Sequence, residues 1–333
     1  MCIFDSFGAE KQMARGLLYQ ADYKPSFSGH ETFPLRYGWL KKAFDAVGAL
    51  ADGVDNKHTV FLADDAISHF GVGKNMVASI RHWATTSGVI ANLSGDDDHL
   101  ITTPLGKLIF GPAGADPYME MPMTMWLIHW HIAGRSTKTT WYWFFNHFAA
   151  KSFRRDDLVS GLMKLAASQG WKNPAETTVR RDVECFVRTY VSQATGAHGT
   201  QEDNLESPLA ELGLIRRIGK RDDYQVVRGA KPTLALGVFA YALNSFWNSV
   251  GGTRTLSFEM AAHEPGSPGR VFLLDESDLA ARLSSLETRT AGQFRWSETA
   301  GLKQIIREQP LSDDEALKFV QADYDERSNR KAA

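Results

Sequence analysis

The sequence has few cysteines and no sign of a secretory leader. Its 333 residues contain two cysteines, Cys2 and Cys185, which are too few and too far apart for a disulfide framework or a zinc finger. Residues 1–5 lack the basic start and the apolar core of a signal peptide. These absences predict a protein of the reducing cytoplasm.

A large excess of one charge is also absent. The formal net charge is −2, so the chain as a whole does not attract nucleic acid, and any DNA binding must come from local patches. We find no established nuclease signature, Walker motif, zinc site or serine-type nucleophile. The hydrophobic fraction of 43% is ordinary for a globular protein, and the length allows two or three domains.

Residues 63–86 have the pattern of a helix-turn-helix. A short helix capped by Asp64 is followed by a turn at 71–73, where glycines tolerate positive φ. In residues 74–86 the apolar positions recur at helical spacing and leave a polar face outward. From this face we predict DNA contacts by Lys74, Asn75, Ser79, Arg81 and His82.

Two short strand patterns follow this helix and predict a wing. Residues 89–93 and 100–102 flank a turn at 94–98, so the whole unit has the pattern of a winged helix. The alternative is a three-helix packing unit without a ligand. The acidic run 96–98 in the turn favours that alternative, because carboxylates repel phosphate.

The most distinctive stretch is residues 29–32, which lie just before a helix predicted to begin after Pro34. His30 and Glu31 form an ionisable pair that can ligate a metal or share a proton during hydrolysis. Arg36 lies a turn further on and is a candidate to steady the scissile phosphate. The alternative is helix capping, in which Thr32 or Glu31 binds the free N–H groups of the helix.

Aromatic residues concentrate in residues 122–133 and 140–150, which both have helical patterns. Each segment is shorter than the roughly 20 residues that a bilayer requires, so we predict a buried helical hairpin and no membrane contact. Two histidines that flank a bulky residue occur in metal-dependent nickases that use a tyrosine nucleophile. His129 and His131 flank Trp130 in this way, and Tyr142 is near in sequence. Because residues two apart point to different sides of a helix, we assign no metal site there.

Residues 154–191 predict a second helix-turn-helix with a basic outer face. The candidate phosphate contacts are Arg155, Lys172, Arg180 and Arg181. The alternative is a solvated helix face of mixed sign, to which Asp182 and Glu184 would contribute. After a linker at 194–206, a short helix and a hairpin at 215–227 predict a second wing.

The carboxy-terminal part mixes short strands with helices. Strand patterns cover residues 271–274 and 294–296. Asp275, Glu276 and Glu298 are carboxylates of the kind that two-metal nucleases require. Residues of this kind also begin helices, and we favour that alternative here.

Several segments resemble the DUF4007 family of bacterial proteins. The matching text is residues 27–39, much of 66–84, and residues 139–146, 207–214 and 298–302. The resemblance implies the DNA-nicking component (the B component) of a single-stranded DNA phosphorothioation defence system. It also implies partners, namely double-stranded DNA and the cysteine desulfurase, ATPase and ATP-pyrophosphatase-like sulfur transferase of a sulfur-modification operon. A homodimer is one assembly that we leave open.

Together these features predict a mainly α protein, with winged helix-turn-helix units, an aromatic helical hairpin and a smaller α+β carboxy-terminal region. The expected boundaries are an arm at 1–25, a first DNA-binding domain at 26–112, the hairpin at 113–150, a second winged unit at 151–230 and the α+β region at 231–333.

We expect the chain to nick one DNA strand with a divalent metal, Mg²⁺ or Mn²⁺. In this scheme His30 and Glu31 serve as base or metal ligand, with Glu31 as the metal ligand and Arg36 on the phosphate. Two alternatives remain. One is a non-catalytic adaptor that recognises DNA and recruits the sulfur-transfer machinery, and the other is a transcription regulator of the same operon.

Overall fold

The computed structural model describes residues 16–49, 59–62, 66–92, 99–172, 174–192, 207–219, 222–251, 253–299 and 301–332. Within these ranges the protein is mainly helical and has three small antiparallel sheets, which confirms the predicted class. The predicted cap Asp64, the turn at 94–98 and the linker at 194–206 lie outside the described residues.

The first part of the fold contains the helices and the strand pair at the positions where a helix-turn-helix with a wing was predicted. Its elements are α1 (Trp39–Gly48), α2 (Thr59–Leu62), α3 (Ala66–Phe70), α4 (Lys74–Thr86), β1 (Ile90–Asn92), β2 (Leu100–Thr102) and α5 (Pro104–Phe110). Helix α4 has the predicted bounds, and β1 pairs antiparallel with β2 as expected. Helix α1 begins later than predicted, because Gly38 has a φ of 77° and the chain turns there before the helix starts.

The aromatic hairpin occupies the centre of the molecule. It consists of α6 (Pro122–Ala133) and α7 (Thr139–His147), and most of its side chains are buried. The ring of Trp141 lies 5.7 Å from that of Trp83 in α4 and 5.5 Å from that of Phe186, which follows later in the chain. The hairpin therefore joins two parts of the fold. No helix among the described residues is both long and apolar enough to cross a membrane.

The next part contains a three-stranded sheet. Its elements are β3 (Ser152–Arg154), α8 (Arg155–Ser168), α9 (Glu176–Tyr190), a 3₁₀ helix (Pro208–Leu212), β4 (Ile215–Arg217) and β5 (Asp223–Val226). The hairpin of β4 and β5 was predicted, whereas β3 was missed. Strand β3 pairs antiparallel with β5, so the strand order is β3-β5-β4.

The carboxy-terminal part repeats this arrangement. Its elements are α10 (Leu236–Ser249), β6 (Thr255–Ser257), α11 (Phe258–His263), α12 (Pro268–Val271), α13 (Glu276–Arg289), β7 (Phe294–Thr299), β8 (Leu302–Arg307) and α14 (Asp313–Ala332). The strand order is β6-β8-β7. In both parts of the chain a helix leads into the first strand, further helices follow, and a hairpin of two strands comes after them. The first strand of each sheet pairs with the last strand.

The predicted strand at 271–274 is wrong. The side-chain oxygen of Ser267 accepts a hydrogen bond from the backbone N–H of Arg270 and starts α12, whose first residue is Pro268. Val271 ends this helix, and Leu273 has a φ of 52° in the turn that follows. A short apolar run is compatible with a buried helix as well as with a strand, and here the serine cap and the proline decide.

The carboxylates of this part do not form a metal site. Asp275 caps α13, because its Oδ1 accepts the backbone N–H of Asp278 at 2.7 Å, which confirms the helix-start interpretation. Glu298 lies in β7, and its Oε1 is 3.9 Å from Nζ of Lys303.

The histidines of α6 are buried and point to different sides, as the helical spacing predicts. His129 hydrogen-bonds through Nδ1 to the Tyr190 hydroxyl and through Nε2 to the Val271 carbonyl, both at 2.8 Å. His131 bonds through Nε2 to the Tyr241 hydroxyl at 2.9 Å. Burial lowers the pKa of His129 to about 4 and holds the pKa of His131 well below its ordinary value. Both rings are therefore neutral parts of the core.

We expect the free energy of unfolding to decrease as the pH falls from about 6.5 to about 4. His129 is neutral in the folded state and has a pKa near 6.5 when unfolded, so protonation in this window favours the unfolded chain. Its contribution is about 3 kcal/mol. Urea unfolding at a series of pH values measures the effect. The variant His129→Gln should lose stability less steeply, and an equal slope would contradict the assignment.

Candidate functional site

The distinctive stretch 29–33 forms a loop between α4 and α9, and we call it the motif loop. The carbonyl oxygen of Phe33 accepts hydrogen bonds from Nε1 of Trp83 in α4, at 3.0 Å, and from Sγ of Cys185 in α9, at 3.3 Å. The carbonyl oxygen of Thr32 accepts from Arg188 of α9 at 3.3 Å. The loop is thus held from both sides by residues distant in sequence.

His30 fixes the motif loop in the interior. Its Nδ1 accepts the backbone N–H of Thr32 at 3.0 Å, so Nε2 carries the hydrogen and donates it to Oδ1 of Asp182 at 2.8 Å. Oδ2 of Asp182 accepts in turn from the Thr140 hydroxyl of α7. His30 and Asp182 are both buried. Because both ring nitrogens are engaged, His30 has no nitrogen open to a metal or to a water in this conformation.

Glu31 sits in a conformation that a non-glycine residue rarely adopts. Glu31 and Thr32 have φ values of 47° and 67°, a left-handed geometry that costs of order 1–3 kcal/mol per residue and is concentrated at functional sites. At Gly29, where φ is 105°, a Cβ would lie 2.5 Å from Nδ1 of His82. The loop therefore packs its backbone against α4 and leaves the Glu31 side chain exposed.

A cleft of about 620 Å³ lies between the motif loop and α4. Its lining includes Glu31, Lys74, Arg81 and His82, which the sequence analysis assigned separately to catalysis and to DNA binding. Positions 74, 78, 81 and 85 follow helical spacing, so one face of α4 forms this wall. The structure thus brings together two sets of predicted residues.

Lys138 also lines the cleft, and the sequence analysis missed it. It precedes α7 in the turn of the aromatic hairpin. Burial lowers its pKa, while the nearby carboxylate of Asp182 acts in the opposite direction. Nothing in its local sequence indicated a site, because its position depends on how the hairpin packs against α4.

Two of the predicted contacts are corrected by burial. Ser79 was assigned to the outer face of α4, but its side chain is 0% exposed and lies in the core. Arg36 is 4% exposed, and its guanidinium lies 5.4 Å from the ring centroid of Phe33 and 5.5 Å from that of Trp39. The side chain therefore packs in the interior and is not placed to contact a phosphate. Asn75 is exposed and lies outside the cleft lining, so its contact with DNA stays a prediction.

His82 lines the cleft as a neutral group. Burial holds its pKa well below the ordinary value, and the positive charge of Lys138 and the neighbouring His30 act in the same direction. A neutral imidazole offers a hydrogen bond but no charge to a phosphate. The cations of the cleft are therefore Lys74, Arg81 and Lys138.

Two of the four predicted cations of the second basic cluster are paired with acidic residues. Arg180 contacts Asp156 at 2.5 Å and Glu176 at 2.9 Å, and Arg155 lies 3.3 Å from Asp222. The other two predicted cations, Lys172 and Arg181, are exposed. The two paired arginines fit the mixed-sign alternative, although Asp182 faces the interior and plays no part in it, and the phosphate contacts of Lys172 and Arg181 stay predictions.

A metal site is not preassembled in the described part of the chain. No three His, Cys, Asp or Glu side chains among the described residues lie close enough together to hold an ion. Within those residues Glu31 is the carboxylate that lines the cleft. Magnesium is commonly bound through one or two carboxylates together with substrate phosphates and water, so Glu31 is compatible with a site that substrate completes.

Replacing Asp182 with Asn should lower the free energy of unfolding by about 2 kcal/mol, because an amide cannot accept hydrogen bonds from both His30 and Thr140. Urea unfolding measures the difference. Glu184→Gln is the matched control on the exposed side of the same helix and should change stability by less than about 0.5 kcal/mol. Equal effects of the two variants would contradict the role given to Asp182.

Comparison with known proteins identifies the family. The model of the family described as a protein of unknown function, DUF4007, matches residues 27–324. Two solved structures are similar, one an SspB crystal structure and the other a magnesium ion-bound SspB crystal structure. Each is 29% identical to this chain, covers 91% of this chain and 88% of its own, and has a TM-score of 0.77. No curated protein matches significantly. The match over most of its length shows that this chain belongs to the DUF4007 family.

Proposed function

We propose that this protein is a DNA-binding component of a phosphorothioate DNA-modification system and that it nicks one strand at the cleft beside the motif loop. One observation carries the proposal: the motif loop and the polar face of α4 meet in a single cleft that contains Glu31 and three cations. The similarity to SspB over most of both chains supports the same role.

The cations of the cleft have the chemistry to hold a DNA backbone. Lys74 and Arg81 lie one above the other on α4, and Lys138 approaches from the aromatic hairpin. Positive side chains that converge in this way bind phosphates without reading the base sequence. A net charge of −2 makes this local arrangement necessary, because the rest of the chain provides no general attraction.

Glu31 is the group that we assign to the reaction. A carboxylate beside a bound phosphate can accept the proton of the attacking water, and the left-handed backbone holds it toward the cleft. His30 and Asp182 act as positioning residues, since they hold the loop and do not face the cleft. The magnesium ion in one SspB structure supports a divalent metal here, which Glu31 would help to hold and which would stabilise charge on the phosphate.

The proposal includes a winged-helix topology for three parts of the chain. The units at β3 to β5 and at β6 to β8 share the order helix, strand, helices and hairpin, with the first strand joined to the last. The unit at α1 to β2 has the helices and the hairpin. Winged helices bind DNA through the second helix of the helix-turn-helix, which corresponds to α4 in the first unit.

A non-catalytic adaptor is the second candidate function. Two observations favour it: both ring nitrogens of His30 are engaged, and the described residues contain no preassembled group of three metal ligands. In that case the cleft binds DNA and other proteins of the system perform the cleavage and the sulfur transfer.

Glu31→Gln should decrease nicking by about 100-fold or more and leave DNA binding in place, because the amide keeps the shape but cannot accept a proton. Conversion of supercoiled plasmid to open circle, with Mg²⁺ or Mn²⁺ and with EDTA, measures the activity. Glu287→Gln, an exposed glutamate on α13, is the control and should nick normally. No conversion by the unaltered protein, with a gel shift on the same DNA, would select the adaptor.

Lys74→Ala and Arg81→Ala should each weaken DNA binding and reduce the slope of log affinity against log salt by about 1, because each removes a phosphate contact. Fluorescence anisotropy at several salt concentrations measures both quantities. Arg180→Ala removes a cation that is already paired with Asp156 and Glu176, and it should have a much smaller effect. A larger effect from Arg180 would place the DNA on α9 instead of α4.

A further inference from the structure

Part of the cleft lining is apolar. Phe61 and Leu62 of α2, Ala66 and Ile67 of α3, and Val77 of α4 form this part, which we call the apolar wall. Leu62 is 65% exposed and Ile67 is 50% exposed. Two large apolar side chains thus face one cavity, and a phosphate backbone alone would leave them without a suitable partner.

A neutral hydrogen-bonding group lies at the inner side of the same cleft. The Nε2 atom of His82 is buried, and it has no hydrogen-bond partner within the described part of the chain. Leaving a buried polar atom unsatisfied has a cost, so such an atom at a cleft indicates a ligand that supplies the partner. Because this imidazole is neutral, it offers a hydrogen bond and no charge, which suits a polar atom of an uncharged ring.

We infer that the cleft holds one DNA nucleotide that is not base paired. Its base would lie against Leu62 and Ile67 and bond to His82, while Lys74, Arg81 and Lys138 hold the flanking phosphates. The volume of about 620 Å³ is within the usual range for a site that encloses a small organic group. The inference rests on the proposed function and deepens it by naming the form of DNA that the site takes.

The distinction from intact duplex follows from which surfaces each form of DNA exposes. In a duplex the faces of the bases are stacked on one another, and only their edges and the sugar-phosphate backbone are accessible. An unpaired base presents its face, which packs against apolar or aromatic side chains. The apolar wall therefore discriminates between the two forms, whereas the cations do not.

Anisotropy titrations with fluorescein-labelled duplexes that differ by one bulged nucleotide test this inference. The bulged duplex should bind about 10-fold more tightly than the matched duplex, a difference typical of stacking one base. Ala78→Trp, at an exposed position on the cleft face of α4, should fill the cleft and abolish the preference. Leu62→Ser should weaken the preference without disturbing the core. Ala281→Trp, at an exposed alanine on α13, is the matched control and should retain it.

The outcomes separate this inference from the proposed function. If no DNA binds in any form, the proposed function is wrong and the nucleotide site is lost with it. If matched and bulged duplexes bind equally, DNA binding stands and the nucleotide site is overturned. An unchanged preference in Ala78→Trp overturns it as well. If free deoxynucleoside monophosphate competes at the concentration at which the bulged duplex binds, the occupant is a free nucleotide and not part of DNA.

Discussion

The buried hydrogen bonds between His30, Asp182 and Thr140 are the contact on which the candidate site depends. They join the motif loop to α7 and α9, where Thr140 and Asp182 lie more than a hundred positions along the chain from His30. A buried carboxylate is stable only when its oxygens are hydrogen-bonded, and here both oxygens have donors. Because His30 is held in this way, the hydrogen bonds around the loop maintain the left-handed backbone of Glu31 and Thr32. The Glu31 side chain then lines the same cleft as α4.

A similar topology recurs along the chain, but the surfaces of its copies differ. In the first unit the cations of α4 line an open cleft. In the second, Arg155 and Arg180 are paired with acidic side chains. In the third, Arg282 of α13 contacts Asp278, and Arg289 contacts Asp323 and Glu326. Fold by itself does not define function, so parts with a similar topology can have different surfaces.

Much of the candidate site could be predicted from local sequence, but the roles within it could not. Glu31, Lys74 and Arg81 were identified by residue type and helical spacing, and the structure places them in one cleft. His30 and Arg36 are polar residues in the same motif, yet both are buried and occupied by packing or hydrogen bonds. Lys138 had no local signal. Whether a polar side chain faces solvent or the interior depends on partners such as Asp182, which the spacing of residues near His30 does not reveal.

The sequence by itself determined the long helices and the two predicted hairpins, because periodicity over ten or more residues and turn residues between short apolar runs are local signals. It did not determine the three-residue strands β3 and β6, which are too short to have a period and exist through pairing with β5 and β8. Tertiary structure also decided that Ser79 is buried, that Ile67 is exposed and that the motif loop faces α4. These outcomes depend on contacts between distant segments, where burial and hydrogen bonding outweigh local preference.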